Sequence, residues 1–104
     1  MVEEVVAGRD FLAVLQSGEP AVVFAYGEID LASAQSLATV VAQACEVSFS
    51  VAIDLSGTTF IDASGLDVIA EAEARCRDEL QVRGASPSVA RLFQLVELGH
   101  LLAA

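Results

Sequence analysis

A chain of 104 residues, 55% of them hydrophobic, is sized for one domain with a core of its own. Its formal net charge is −10, and its five cationic side chains are all Arg. This balance argues against nucleic acids and anionic membrane surfaces as partners, because both require a basic footprint, and it fits either a partner with basic features or an acidic charge that serves solubility. The apolar runs are short and the start of the chain is acidic, so we expect one domain over 1–104, cytoplasmic, with no membrane insertion.

The first part of the chain predicts a hairpin. Residues 1–9 fit either a loose tail or an extra strand. The apolar runs 11–16 and 21–26 flank Ser17-Gly18-Glu19-Pro20, whose composition is typical of a turn. The continuous apolar character of 21–24 favours a strand buried on both faces.

A helix and a parallel strand follow the hairpin. Asp30 is predicted to cap the helix, which ends near Glu46. Its buried face follows the i, i+3, i+4, i+7 spacing at Ala34, Leu37, Ala38 and Val41. The run 49–55 predicts a strand parallel to 21–26, because a helix connects the two.

The segment after this strand predicts a loop and a second helix. Residues 57–59 are expected to leave the sheet, and Phe60 and Ile61 to pack back onto the core. The helix is predicted to start at Ser64 or Gly65, with Ser64 as its N-cap and Asp62 as an alternative cap or turn residue. Its exposed side is predicted at Asp67, Glu71, Arg75 and Asp78.

The last part of the chain predicts a short strand at 80–83 and a third helix. Ser86 and Pro87 suit the N-cap and the first position of that helix, and Gly99 suits its end. Residues 100–104 either add a short strand or trail off. The whole order predicts an α/β fold: a mixed sheet of four to five strands with helices mainly on one face.

The two cysteines show no metal-ligand spacing and no C-x-x-C motif. We expect Cys45 and Cys76 to be two buried, reduced thiols, with a disulfide between them as the alternative.

Catalytic patterns are weak in this chain. The single histidine, His100, is far in sequence from Ser64, and no G-x-S-x-G elbow is present. The absence of Lys excludes a P-loop and Schiff-base chemistry. We therefore predict no catalytic residues, no metal and no cofactor.

Two sequence blocks carry a family resemblance that covers about 11–98. The first reads Gly27-Glu28-Ile29-Asp30-Leu31-Ala32; the second holds Asp54-Leu55-Ser56, Phe60 and Asp62-Ala63-Ser64-Gly65-Leu66. Together they resemble the signature of the STAS domain family, of the anti-sigma factor antagonist (anti-anti-sigma factor) type. In that family the residue after the Asp is a phosphorylated hydroxyl residue. Here Ala63 fills that slot and the hydroxyl follows at Ser64, with Ser56, Thr58 and Thr59 as nearby alternatives.

The resemblance implies a binding module that works by partner switching. It implies an anti-sigma factor, often a Ser kinase, as the partner, whose capture releases a sigma factor for transcription. The phosphoacceptor candidate is Ser64, and the implied partner surface is Asp30, Asp62, Ala63, Ser64, Gly65, Asp67, Val68, Glu71 and Arg75. A STAS subunit of a transport or signalling complex without a phospho-switch is the alternative, and a binder of a small apolar ligand is a third class. We expect a monomer or weak dimer.

Overall fold

Five strands form one mixed sheet whose spatial order follows the chain. In the computed structural model, which describes residues 1–76 and 79–103, the strands lie in the order β1-β2-β3-β4-β5. Pairs β1–β2 and β2–β3 are antiparallel, and β3–β4 and β4–β5 are parallel. The strands are β1 (Val2–Gly8), β2 (Phe11–Gln16), β3 (Ala21–Ile29), β4 (Ser50–Ile61) and β5 (Glu79–Arg83). The helices are α1 (Leu31–Val47), α2 (Ala63–Arg75) and α3 (Pro87–Leu95), followed by a 3-10 turn at Gly99–Leu101. The predicted α/β fold with a mixed sheet is therefore confirmed.

The core lies between one face of the sheet and the helices. Strand β2 alternates buried and half-buried residues, as a strand with one covered face does. The buried residues of the sheet form one cluster with apolar side chains of all three helices, among them Leu37, Ile69 and Phe93. The residues 1–9, which fitted two interpretations, form the edge strand β1. No helix in the described ranges 1–76 and 79–103 has the length and apolar character needed to cross a membrane.

Strand β4 is longer than its apolar run predicts. The expectation that 57–59 leave the sheet is wrong, because Gly57 pairs with Tyr26 and Thr58 with Gly27 along β3. The buried Thr58 hydroxyl also donates to the Ala25 carbonyl at 3.0 Å, which adds a side-chain bond between β4 and β3. Ile61 is buried as expected, whereas Phe60 keeps 48% of its surface exposed.

The C-terminal part differs from its prediction at one glycine. Helix α3 starts with Ser86 as N-cap and Pro87 in its first turn, as predicted. Its end needs no glycine, because Glu97 takes the left-handed conformation at φ 63° and Gly99 instead begins the 3-10 turn. Leu102 then makes one parallel bridge to Val82. The predictions for Asp78 and for the last residue, Ala104, lie outside the described residues.

A disulfide joins the two cysteines, so the expectation of two buried, reduced thiols is wrong. Cys45 and Cys76 are half-buried, and their Cα atoms are 5.2 Å apart. The physical reason is topological. Helices α1 and α2 follow parallel neighbouring strands and pack against each other, so their C-terminal ends meet. A separation of 31 residues in sequence does not show this meeting.

A polar contact between β4 and β5 stands on the half-exposed side of these strands. Arg83 Nε donates to Asp54 Oδ2 at 3.3 Å, and the Ser56 amide donates to Asp54 Oδ1 at 2.9 Å. Burial opposes ionisation of Asp54, but the hydrogen bonds from Ser56 and Arg83, together with the Arg83 charge, outweigh it and lower the pKa of this carboxyl. The ionised carboxylate therefore stabilises the fold.

We predict that Asp54→Asn lowers the free energy of unfolding by about 1 kcal/mol at pH 7, because it removes the charge that accepts these bonds. The folded-state pKa lies below the ordinary 3.8. The contribution is therefore complete above that value and is lost as pH falls through the folded-state pKa. Urea unfolding of both proteins between pH 7 and pH 2 measures this difference.

Asp67→Asn is the matched control, since it removes the same charge from an exposed position on α2. We expect it to change stability little at any pH. A deficit of Asp54→Asn that is absent at pH 7, or that stays constant down to pH 2, would contradict the role given to Asp54.

Candidate functional site

Two helices begin side by side at one edge of the sheet. Strand β3 ends at Ile29 and β4 ends at Ile61, and these two residues are parallel partners. The Asp62 amide donates to the Ile29 carbonyl at 3.1 Å, which holds the two strand ends together. The residues that follow, Asp30 and Asp62, therefore lie at the carboxyl edge of the same parallel pair. Open α/β sheets commonly bind their ligands at this edge.

Asp30 caps α1 through a reciprocal set of bonds. Its Oδ1 accepts from the Ala32 amide at 3.0 Å and from the Ser33 amide at 3.2 Å. The Ser33 hydroxyl in turn accepts from the Asp30 amide at 3.0 Å and donates to the Glu28 carbonyl at 2.8 Å. This is a capping box with Ser in the place of the usual Glu or Gln. The predicted capping role of Asp30 is confirmed.

Asp62 caps α2, and the prediction that Ser64 is the N-cap is wrong. Asp62 Oδ1 accepts from the Ser64 amide at 2.9 Å and from the Gly65 amide at 3.4 Å. Asp62 has the extended backbone that an N-cap needs, so the helix starts at Ala63 and Ser64 is its second residue. In the part of the chain that the structure describes, the half-buried Ser64 hydroxyl has no hydrogen-bond partner. It is not needed for capping.

Gly65 lets α2 approach the strand ends closely. A Cβ at this position would lie 2.5 Å from Ile29 Cγ2 and 2.7 Å from Ile61 Cγ1. Both distances are shorter than those real Cβ atoms show, so only glycine fits without a shift of the core. Gly65 is buried, and it supports the surface from beneath rather than facing solvent.

The outer positions at this edge carry apolar side chains, of which only Ala63 was predicted to lie on the partner surface. Leu31 and Ala63 are the first residues of α1 and α2, and Leu31 is 80% exposed. Phe60, which pairs with Glu28, is 48% exposed. Leu31 stands three residues before the buried Ala34, so helical periodicity alone would assign it to the core, and only the structure shows that it is exposed. We name this surface the two-helix edge: Asp30, Leu31, Phe60, Asp62, Ala63 and Ser64.

A groove between α1 and α2 adjoins this edge. Its α2 wall includes Val68, Glu71 and Arg75, which are three of the residues predicted for partner binding. Asp67 is exposed on the same helix. The α1 wall was not predicted as a binding surface, although its polar residues mark a solvent-facing side of that helix. We name this the interhelix groove; its α1 wall includes Gln35, Thr39, Ala42, Cys45 and Glu46.

The only histidine of the sequence takes no part in this surface. His100 Nε2 is 2.6 Å from Glu73 Oε2 on α2. Glu73 is nine residues after Ser64, about 13 Å along an α-helix at 1.5 Å per residue. The contact therefore places the imidazole far from the Ser64 hydroxyl, too far for a nucleophile and its base.

A family model described as "Mlab, STAS domain" matches residues 12–103. The chain belongs to the STAS domain family. Both signature blocks lie within the matched range, and the STAS fold brings them to one edge of its sheet. A search of the curated proteins found no match.

Solved structures of anti-sigma factor antagonists share this fold. One from Mycobacterium paratuberculosis has a TM-score of 0.81 at 22% identity, over 92% of this chain and 86% of that one. The antagonist SpoIIAA in its unphosphorylated form has a TM-score of 0.77 at 17% identity, over 88% and 85%. The Bacillus SpoIIAA in its phosphorylated form has a TM-score of 0.71 at 16% identity, over 88% of each chain. At these identities, the likeness establishes the fold.

We predict that Asp62→Ala lowers the free energy of unfolding by about 1 kcal/mol, because two amides of α2 lose their acceptor. Asp67→Ala removes the same group five residues later, from an exposed position without that role. Urea unfolding of the two variants compares them directly. Equal losses from both would contradict the capping role of Asp62.

We predict that Gly65→Ala lowers the free energy of unfolding by about 1–3 kcal/mol, because the added methyl group overlaps Ile29 and Ile61. Gly8→Ala is the matched control, since a Cβ there meets no atom within 4 Å. Thermal and urea unfolding measure both variants. A Gly65→Ala protein as stable as Gly8→Ala would show that α2 does not need its close approach.

Proposed function

We propose that this STAS domain is an anti-sigma factor antagonist that acts by partner switching in the cytoplasm. The observation that carries the proposal is the meeting of both signature blocks at the two-helix edge, beside the interhelix groove. A binding surface of this kind serves a protein partner, and catalysis is not part of the role. The fold shared with solved anti-sigma factor antagonists supports the same assignment.

The charge and apolarity of the surface define the partner chemistry. Asp30, Asp62, Asp67 and Glu71 give the edge and the adjoining α2 surface an acidic character, within a chain of net charge −10. Leu31 and Phe60 supply exposed apolar area between these acids. A partner with basic side chains around an apolar recess complements this surface, and its association rate falls as salt rises. The domain meets it as a monomer or weak dimer.

A phosphate on Ser64 would act on docking rather than on the fold. Ser64 is the second residue of α2, where the positive end of the helix dipole tolerates an added anion. Phosphorylation adds about −1.5 to −2 charge, in a surface that already carries Asp62 and that a partner must cover. The dianion therefore disfavours the complex by repulsion and desolvation. An anti-sigma factor released from the complex binds its sigma factor again, which stops transcription.

Ala63 separates this chain from a complete phospho-switch. It occupies the acceptor slot of the family pattern at the exposed first position of α2, and it has no hydroxyl. The hydroxyl that remains, on Ser64, is half-buried. A kinase that reaches the first position therefore transfers to this chain slowly or not at all. In that case the abundance of the antagonist, rather than its phosphorylation, sets how much sigma factor is free.

A second candidate is a STAS subunit of a transport or signalling complex without a phospho-switch. Two observations favour it: the methyl group of Ala63 in the acceptor slot, and the matched family model, which carries the Mlab description. The two-helix edge would serve that role equally well as a docking surface. The identity of the bound protein distinguishes the two candidates.

Capture from the lysate of its own cells tests the proposed function. We predict that the tagged protein retains an ATP-binding anti-sigma factor, identified by mass spectrometry, and that Glu71→Arg reduces its recovery at least tenfold, because it reverses an acidic charge on the groove wall. Glu97→Arg makes the same charge change at an exposed position after α3, away from the groove, and should leave recovery unchanged. Capture of transporter subunits without an anti-sigma factor would instead establish the second candidate.

We predict that Ser64→Asp weakens binding of the captured anti-sigma factor at least tenfold and leaves the melting temperature within a few degrees of the parent protein. Ser64→Ala is the control, and it should bind as the parent does. Titration calorimetry and thermal unfolding measure the two effects. A large loss of stability with unchanged binding would contradict the docking role of Ser64.

Ala63→Ser tests the acceptor slot itself. We expect the kinase to phosphorylate this variant faster than the parent protein, because it restores an exposed hydroxyl at the first position of α2. Incorporation of radiolabelled phosphate measures the rate. Intact binding without any transfer to Ala63→Ser would show that the partner is not a kinase of this type.

A further inference from the structure

The disulfide lies at the end of the interhelix groove opposite the two-helix edge. Cys45 is near the C-terminal end of α1, and Cys76 is the C-cap residue of α2. Both residues are half-buried, and Cys45 lines the groove. The bond therefore borders an open groove on the side of Cys45, unlike a disulfide enclosed in a core.

The last turn of α2 has little other attachment to α1. Ala72 is the last buried residue of α2, and Glu73, Ala74 and Arg75 are exposed. Among the described residues, the Cys76 amide donates to the Ala72 carbonyl at 2.8 Å, within α2, and Glu73 contacts His100 of the 3-10 turn. Cys76 also packs against the edge of the core. The covalent link from Cys76 adds a direct connection between this turn and α1.

We propose that Cys45 and Cys76 form a reversible thiol–disulfide exchange site that reacts with small thiols and disulfides. In the oxidising direction, the thiolate of one cysteine attacks an external disulfide, forms a mixed disulfide and releases one thiol. The second cysteine then attacks the protein sulfur of that mixed disulfide, forms the Cys45–Cys76 bond and releases the second thiol. The protein gives up two electrons and two protons, and the external disulfide becomes two thiols.

The fold allows both formation and reduction of the Cys45–Cys76 bond. The Cα separation of 5.2 Å lies within the range of ordinary disulfides, so the bond closes without movement of either helix axis. Core packing of α1 and α2 up to Ala72 keeps the two residues near each other after reduction, which favours closure again. Because Cys45 lines the groove, a small thiol can approach the bond from that side.

The exchange would regulate docking in the interhelix groove by changing the order of its α2 wall. Arg75 directly precedes Cys76 and lines the same groove, so the bond holds the backbone beside a cationic residue of the proposed docking surface. Reduction frees that turn and weakens the order of Arg75. This consequence for docking rests on the proposed function, whereas the exchange site itself does not.

The test uses the purified full chain without a partner. The protein is equilibrated with mixtures of reduced and oxidised glutathione and quenched with an alkylating reagent. Mass spectrometry then counts the alkyl groups on each chain. We expect two alkyl groups at high reduced glutathione and none at high oxidised glutathione, with the same midpoint from both directions. The reduced form should melt about 10 °C or more below the bonded form. Hydrogen exchange at 73–76 should be faster in the reduced form and unchanged at 63–66.

Single-serine variants keep the test specific. Cys45→Ser and Cys76→Ser should each melt as the reduced parent does and should form only a mixed disulfide with glutathione. A parent protein that keeps its bond in excess dithiothreitol under native conditions, or that never forms the bond in excess oxidised glutathione, would overturn the exchange site. Equal melting temperatures of the two redox forms would show that the bond does not stabilise the last turn of α2 against α1. Neither result depends on the partner, so failure of the exchange site would leave the proposed anti-sigma factor antagonist function untouched.

Discussion

The parallel pairing of β3 with β4 is the constraint on which the site depends. Because their ends are in register at Ile29 and Ile61, the chain turns twice into a helix at one edge of the sheet. Each turn uses an Asp whose carboxylate satisfies amides that the first helical turn leaves without acceptors. Gly65 then lets α2 settle directly on these two isoleucines. The Asp caps and the packing of Gly65 together set the position of the exposed residues of the two-helix edge. A change in either is therefore expected to shift these residues.

The same parallel order also defines the far end of the site. Helices that follow neighbouring parallel strands run in one direction, so the groove between them has capped N-termini at one end and C-terminal turns at the other. Hydrogen bonds hold the first end in place, and a covalent bond between Cys45 and Cys76 holds the second. Between them lie the exposed side chains of Glu71 and Arg75. In the proposed function, a partner that spans this length would contact both the capped helix starts and the proposed exchange site.

Local patterns predicted much of the fold, and three-dimensional neighbours account for the misses. The hairpin, the parallel strands and the caps at Asp30 and Ser86 followed from turn composition, periodicity and connection type. The extension of β4 through Thr58 depends on pairing with β3, which no local pattern contains. Asp62 and Ser64 both suit an N-cap by type, and only the backbone geometry distinguishes them. The disulfide and the α1 wall of the groove required knowledge of which helix ends meet.

Hydrogen exchange of the chain, alone and with the protein it captures from its own cells, tests most directly whether the two helix starts form the docking surface. Binding there predicts slower exchange at 30–34 and 62–75, with 2–6 and 13–16 unchanged, since these parts of β1 and β2 pair toward the opposite end of the sheet. Slower exchange confined to 2–6 and 13–16, with 62–75 unchanged, would contradict it and place the partner at the β1 edge of the sheet.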